Sequence, residues 1–166
     1  MKRLNKLNPN LATTLDKLID GCSIIDIKGP GNPIVESVCY DSRKATPDSL
    51  FVAIRGARSN GEQFIGQALV NGSTVIVAES PYSPSLFPDI ENTTYVQVEN
   101  CRETLSLISS RFYKEPSKKL RLFGITGTNG KTTVAYLLES IFQKQEKSVG
   151  VIGTINSRYS GKAQAS

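Results

Sequence analysis

The chain has 166 residues, 39% hydrophobic and 21% charged, with a net charge of +5. This is an ordinary globular composition, of a length that suits one domain or one small domain with part of another. With no histidine anywhere, it excludes Ser-His-Asp and Cys-His catalysis and histidine-based zinc sites within the chain, and with no run of about 18 apolar residues it excludes a membrane-spanning helix.

The N-terminal stretch MKRLNKLNPN is positively charged but has no apolar run behind it, so no secretory leader is predicted and the expected location is cytoplasmic. Cys22, Cys39 and Cys101 are far apart and odd in number, which reads as reduced structural thiols. The basic excess is densest at Arg111, Lys114, Lys118, Lys119 and Arg121. The excess is mild and reads as a solvated connector; a nucleic-acid patch would want more charge with interleaved aromatics.

In chain order, Leu11 to Asp20 predicts a short amphipathic helix stopped at Gly21. Ile34 to Tyr40 predicts a strand, and Ser49 to Ile54 a more buried one. Gly56 to Gly61 predicts a loop. Glu62 to Val70 carries apolar residues at Phe64, Ile65, Ala68 and Leu69, the spacing of a helix closed by Asn71-Gly72. Thr74 to Ala78 and Tyr95 to Val98 predict strands, with a proline-rich loop at Ser80 to Pro88 between them. Arg102 to Tyr113 predicts a helix ending near Glu115-Pro116. Alternating strands and helices argue for an α/β fold with a largely parallel sheet.

Pro116 to Lys119 reads as a linker. Beyond it, Leu120 to Thr126 predicts a strand, Thr132 to Gln143 a helix, and Ser148 to Ile152 the start of another strand. The expected architecture is a first domain over 1–115 and the first, incomplete β-loop-α-β unit of a second over 120–166. Parallel sheets need several such units to cover both faces.

Between that expected strand and helix lies GITGTNGKTT, Gly124 to Thr133. The usual phosphate loop is G-x-x-x-x-G-K-[ST]. Its first glycine would fall at Ile125, so the strict pattern fails; the glycines present are Gly124, Gly127 and Gly130. The surrounding chemistry still suits a phosphate. Glycines let the amides of Gly127, Thr128, Asn129, Gly130 and Lys131 turn toward one anion. A helix N-terminus adds donors. Lys131 would sit on the outer phosphates, and the Thr132 hydroxyl would ligate magnesium. The plain structural alternative is a glycine turn between strand and helix. Phosphoryl transfer also needs an acidic magnesium ligand. The acidic residues after Lys131 are Glu139 and Glu146, and neither is expected where ligands of such sheets gather.

The stretch GITGTNGKTT resembles the ATP loop of the Mur ligase family, T-G-T-[NK]-G-K-[ST]-[ST], which also lacks the first glycine. YDSRKATPDSLFVAIRGARSNGEQFIGQAL, Tyr40 to Leu69, is similar to that family's N-terminal segment, and GVIGTINSRYSGK, Gly150 to Lys162, to the strand and hairpin after its loop helix. RFYKEPSKKLRLFGITGTNGKTT, Arg111 to Thr133, is similar to the branch that adds a diamino acid, meso-diaminopimelate or L-lysine, to UDP-MurNAc-L-Ala-D-Glu. The resemblance spans nearly all of Tyr40 to Lys162.

The resemblance implies an ATP- and Mg2+-dependent amide ligase of peptidoglycan synthesis, working through an acyl phosphate. It implies ATP contacts at Gly127, Thr128, Asn129, Gly130, Lys131, Thr132 and Thr133, with Lys131 in the catalytic role and Thr132 on the metal. It implies UDP-MurNAc contacts at Tyr40, Ser42, Ala57, Arg58 and Ser59. Many relatives carry a histidine where this chain has Ala57. Later family segments hold the remaining metal ligands and select the incoming amino acid, so the 166 residues alone are expected not to turn over. The alternatives are a binding remnant without catalysis, or another Mur-type ligase, such as the one that adds D-Ala-D-Ala, folylpolyglutamate synthetase or cyanophycin synthetase.

Overall fold

A computed structural model describes residues 11–56, 59–84, 92–159 and 162–165. The chain divides into two compact units, with the boundary between Leu120 and Arg121.

The first unit is built on a five-stranded mixed sheet. Its strands are β2 (Ile24–Lys28), β4 (Ser37–Cys39), β5 (Ser49–Val52), β6 (Ser73–Ala78) and β7 (Thr94–Val98), in the order β2-β7-β6-β5-β4. The pairs β4–β5, β5–β6 and β6–β7 are parallel, and β2 joins β7 antiparallel. The two-residue strands β1 (Thr13–Thr14) and β3 (Ile34–Val35) form a separate antiparallel ladder.

The central strands are apolar on both faces, as a sheet covered on both sides must be. Leu50, Val52, Val75, Val77, Val96 and Val98 alternate onto one face, against Leu15, Leu18, Ile108 and Phe112. Those residues come from helices α1 (Leu15–Ile19) and α3 (Cys101–Phe112). Phe51, Ala53, Ile76, Ala78 and Tyr95 point to the other face, against Ile65 and Ala68 of helix α2 (Ile65–Val70). The result is three layers, helix on sheet on helix.

Several expected elements take a different form. The helix expected over Leu11 to Asp20 is confined to α1, because Thr13 and Thr14 pair with Val35 and Ile34 instead. That pairing also splits the strand expected over Ile34 to Tyr40 into β3 and β4. The first turn of the helix expected from Glu62 is a 3-10 turn, Gly61–Phe64, opened by the Asn60 side chain accepting from the Glu62 amide. Strand β2 was not expected.

The second unit holds helix α4 (Lys131–Lys144) and an antiparallel sheet of β8 (Gly150–Ile152), β9 (Asn156–Tyr159) and β10 (Lys162–Ala165). Residues 121–126 are not a strand. A strand exists only through a ladder partner, and β8 pairs with β9 rather than with this segment. The expected β-loop-α-β unit therefore lacks its first strand. No residue of 121–159 is buried. Among the described residues, no helix is long and apolar enough to cross a membrane.

Candidate nucleotide-binding sites

In a parallel sheet, ligands gather beyond the C-terminal ends of the strands. In the first unit that edge carries Tyr40 and Ser42 after β4, Arg55 to Gly61 after β5, Glu79 and Ser80 after β6, and Asn100 after β7. Tyr40 is 65% exposed, so its ring is free to meet a ligand. Ser42 is buried, and its hydroxyl donates to Gln67 Oε1 at 2.8 Å while its carbonyl accepts from Asn71 Nδ2 at 2.8 Å. A ligand at Ser42 would have to share or displace the Gln67 contact. Between these residues, Asp41 accepts from the Arg43 amide at 3.1 Å and from its guanidinium at 2.9 and 2.8 Å. The Arg43 hydrogen bonds hold the Asp41 carboxyl below its ordinary range. This is a turn with a surface ion pair, which by itself has no need of a ligand.

Ser59 is exposed, and its carbonyl accepts from the Gly56 amide at 2.9 Å. Ala57 and Arg58 lie outside the described residues. The loop around them is closed by a bridge between Arg55 and Asn60 and by the Gly61 amide donating to Ile54 O at 3.0 Å. Two side chains not singled out in the sequence hold it. Glu62 accepts from the Ser80 amide at 3.0 Å, the Ser80 hydroxyl at 2.8 Å and Asn60 Nδ2 at 3.3 Å. Arg102 donates to Arg55 O at 3.1 Å. Behind Ser80, the Tyr95 hydroxyl donates to its carbonyl at 2.9 Å. Burial pushes the Glu62 carboxyl up; the Ser80 and Asn60 hydrogen bonds and the nearby Arg55 charge more than reverse this, so it titrates below the usual glutamate value. The one signal in the sequence was Asn60-Gly61-Glu62, the spacing of an Asn side-chain cap.

In the second unit, Gly127 and Gly130 take φ of +146° and +78°, conformations glycine permits. Gly130 stands immediately before the 14-residue helix α4. The amides of Gly127, Thr128, Asn129 and Gly130 have no acceptor among the described residues. The Lys131 ammonium curls back over the loop, donating to Gly127 O at 2.6 Å and Thr128 O at 3.4 Å. Thr132 and Thr133 are exposed on the first turn. The expected loop residues are therefore gathered at one helix N-terminus, with free donors and a cation beside them.

The family profile described as "Mur ligase family, catalytic domain" matches residues 34–113, and that described as "Mur ligase middle domain" matches 125–165. The chain belongs to the Mur ligase family. Among curated relatives, the UDP-N-acetylmuramoyl-L-alanyl-D-glutamate--2,6-diaminopimelate ligase of Alkaliphilus metalliredigens is 41% identical over 138 residues, covering 83% of this chain and 27% of its own length. The ligase of that name from Caldanaerobacter subterraneus subsp. tengcongensis is 43% identical over 132 residues, covering 80% and 26%. The chain thus spans about a quarter of the length of the curated relatives it matches. A crystal structure of MurF from Acinetobacter baumannii shares the fold, with a TM-score of 0.60 at 24% identity over 80% of this chain and 28% of that one.

Within the Mur ligase middle segment, Glu139 is already committed. Its carboxylate accepts from Arg158 Nε at 3.1 and 3.0 Å and from Nη2 at 2.6 Å. The same guanidinium lies 3.8 Å over the Tyr136 ring. This cluster ties α4 to β9. It leaves Glu139 unavailable as a metal ligand, and no group of three acidic or thiol ligands stands together among the described residues.

Proposed function

We propose that this chain supplies the nucleotide-sugar-binding part and the phosphate loop of an ATP-dependent ligase. That ligase joins 2,6-diaminopimelate to the D-Glu of UDP-MurNAc-L-Ala-D-Glu in peptidoglycan synthesis in the cytoplasm. The choice of diaminopimelate over L-lysine rests on the relatives' names. The observation that carries the reading is the Gly127–Thr133 loop: unpaired amides at a helix N-terminus, with the Lys131 ammonium folded over them.

These residues fit the phosphates of ATP. Gly127 to Gly130 would present backbone donors, and Lys131 would place its charge on the group being transferred. Thr133 would close the loop from the first helical turn. The Thr132 hydroxyl, exposed and without a protein partner among the described residues, is a hard oxygen of the kind magnesium takes, and would hold that ion. Bound there, magnesium neutralises charge on the phosphate oxygens. In the first unit, Tyr40, Ser42 and the Ala57-Arg58-Ser59 stretch would hold the uridine diphosphate, Tyr40 by stacking and Arg58 by its charge.

A second reading, of a binding module without catalysis, is favoured for these residues alone by the Glu139–Arg158 pair, which leaves no free carboxylate on the loop helix near Lys131. The two readings share one first experiment. Calorimetry of the 166-residue protein is expected to show heat on adding UDP-MurNAc-L-Ala-D-Glu and on adding ATP with magnesium. Lys131→Ala should weaken the second signal, by about 10- to 100-fold in affinity, and keep the first. Absence of both signals in the unaltered protein would sink the proposal. Phosphate release on adding the amine would refute the binding-only reading.

A further inference from the structure

We propose that Glu62 is a positioning residue for the candidate nucleotide edge: it sets the geometry of the rim at Arg55-Gly56 and Ser59 to Gly61 without touching the ligand. This rests on the reading that the C-terminal edge of the first unit holds a uridine diphosphate.

The rim is fastened on two sides by chemistry that the sheet does not require. On one side, Glu62 reaches across to the segment after β6 and takes both the amide and the hydroxyl of Ser80, at 3.0 and 2.8 Å. The same carboxylate takes Asn60 Nδ2 at 3.3 Å, while Asn60 Oδ1 accepts from the Glu62 amide at 3.1 Å. Glu62 and Asn60 are therefore locked reciprocally, and the pair is anchored to β6. On the other side, Arg102 of α3 caps Arg55 O at 3.1 Å. The backbone bonds between these clamps, Gly56 to Ser59 and Gly61 to Ile54, are short and local. Arg55, Gly56 and Ser59 are exposed, so side-chain clamps decide how often these bonds are open. Ser80 is itself fixed from behind by Tyr95, a buried member of the sheet. The chain of contacts Tyr95–Ser80–Glu62–Asn60 thus carries the rigidity of the sheet out to the rim. A preorganised rim spares a ligand the cost of ordering it.

Electrostatics and positioning predict opposite signs here, which makes the idea testable. Glu62 is an anion beside a site for an anion. Were it only a bystander, Glu62→Gln would remove repulsion and tighten diphosphate binding. As a positioning residue its neutralisation weakens three charge-assisted bonds, and binding should fall by about tenfold, the effect of one charged hydrogen bond.

The experiment uses the 166-residue protein, UDP as probe, and three proteins: unaltered, Glu62→Gln and the milder Ser80→Ala. Calorimetry gives the UDP dissociation constant. Amide hydrogen exchange without ligand reads the Gly56 and Gly61 N–H groups, and thermal unfolding checks that the sheet is intact. Expected are weaker UDP binding and faster exchange at Gly56 and Gly61 in both variants, with core amides of β5 and β6 unchanged. Unchanged or tighter UDP binding in Glu62→Gln, or unchanged exchange at the two glycines, overturns the proposal. Should the unaltered protein fail to bind UDP, the nucleotide reading falls. The exchange rates then decide by themselves whether Glu62 holds the rim.

Discussion

Among the glycines described, Gly61 comes closest to other backbone, and replacing it with alanine is the sharpest test of the rim geometry. A Cβ there would lie 2.5 Å from Ile54 O, 2.7 Å from Ile54 N and 2.8 Å from Ala53 C, all backbone atoms. Ordinary contact begins at 3.4 Å, so the two strands of backbone must part by about 0.9 Å. The bond from the Gly61 amide to Ile54 O, now 3.0 Å, would then be lost. Losing it costs about 1 kcal/mol, and relieving the overlap a further 1–3 kcal/mol or so. Against this, alanine restricts the unfolded chain and recovers about 0.4–1 kcal/mol. The net expectation is destabilisation by about 1–3.5 kcal/mol, a melting temperature lower by roughly 5–15 °C for a domain of this size. Gly66 is the internal control. It lies inside α2 with nothing within 4 Å of a built Cβ, so Gly66→Ala should stabilise by about 0.5–1 kcal/mol through helix propensity. Thermal unfolding followed by circular dichroism compares the two directly. A Gly61→Ala protein as stable as the unaltered one, or more so, would refute the close approach of Gly61 to Ile54.

Lys131→Ala should leave the melting temperature within a degree or two, because Lys131 is exposed and bonds only to loop carbonyls. ATP affinity should fall by about 10- to 100-fold, the effect of a charged hydrogen bond, as read by calorimetry. The Glu62 carboxyl sits below its ordinary value in the folded chain, so its contribution is full above the unfolded glutamate pKa of about 4.3 and fades as pH falls through the lower folded value. The stability difference between the unaltered protein and Glu62→Gln should therefore shrink on acidification below about pH 4, in urea titrations at several pH values. Burial pushes the Cys39 and Cys101 thiols up to about 11 and about 12. A thiol reagent near neutral pH should label half-buried Cys22 first, with Cys39 and Cys101 reacting only on unfolding, as followed by mass spectrometry.

The central strands were legible because each is apolar in both phases of its alternation. Leu50 to Val52 and Val75 to Ala78 have no polar face to hide, and only a strand covered on both sides reads that way. Strand β2 escaped because IIDIK lies at the sheet's edge, with Ile25 and Ile27 exposed and no face clearly buried. Leu120 to Thr126 misled for the complementary reason: its residues suit a strand, but suitability is local and a ladder partner is not. The glycine turn and the helix start behind it were legible because they are contiguous, from Gly127 to Thr133. The Glu62–Ser80 clamp was not, since its members stand 18 residues apart and only the fold joins them. Ser42 shows the limit in the other direction. Its hydroxyl donates to Gln67, 25 residues on, a contact only the fold shows and one that a ligand at Ser42 would have to share or displace.

The 2.6 Å bond from Lys131 to Gly127 O would make the phosphate binding proposed for this loop, as far as the lysine is concerned, a change of partners rather than a simple gain. An incoming phosphate that drew the ammonium away could not take its place, since carbonyl and phosphate oxygens both only accept. The carbonyls of Gly127 and Thr128 must then be met by water, or by a loop that turns them outward. What a calorimeter would register is the difference between two polar contacts. A lysine already seated at the loop also keeps its side chain ordered before the ligand arrives, so little of its rotamer freedom remains to be surrendered. Such an arrangement gives up depth of affinity for readiness, which would suit a loop that takes up and releases nucleotide repeatedly, as proposed for this one.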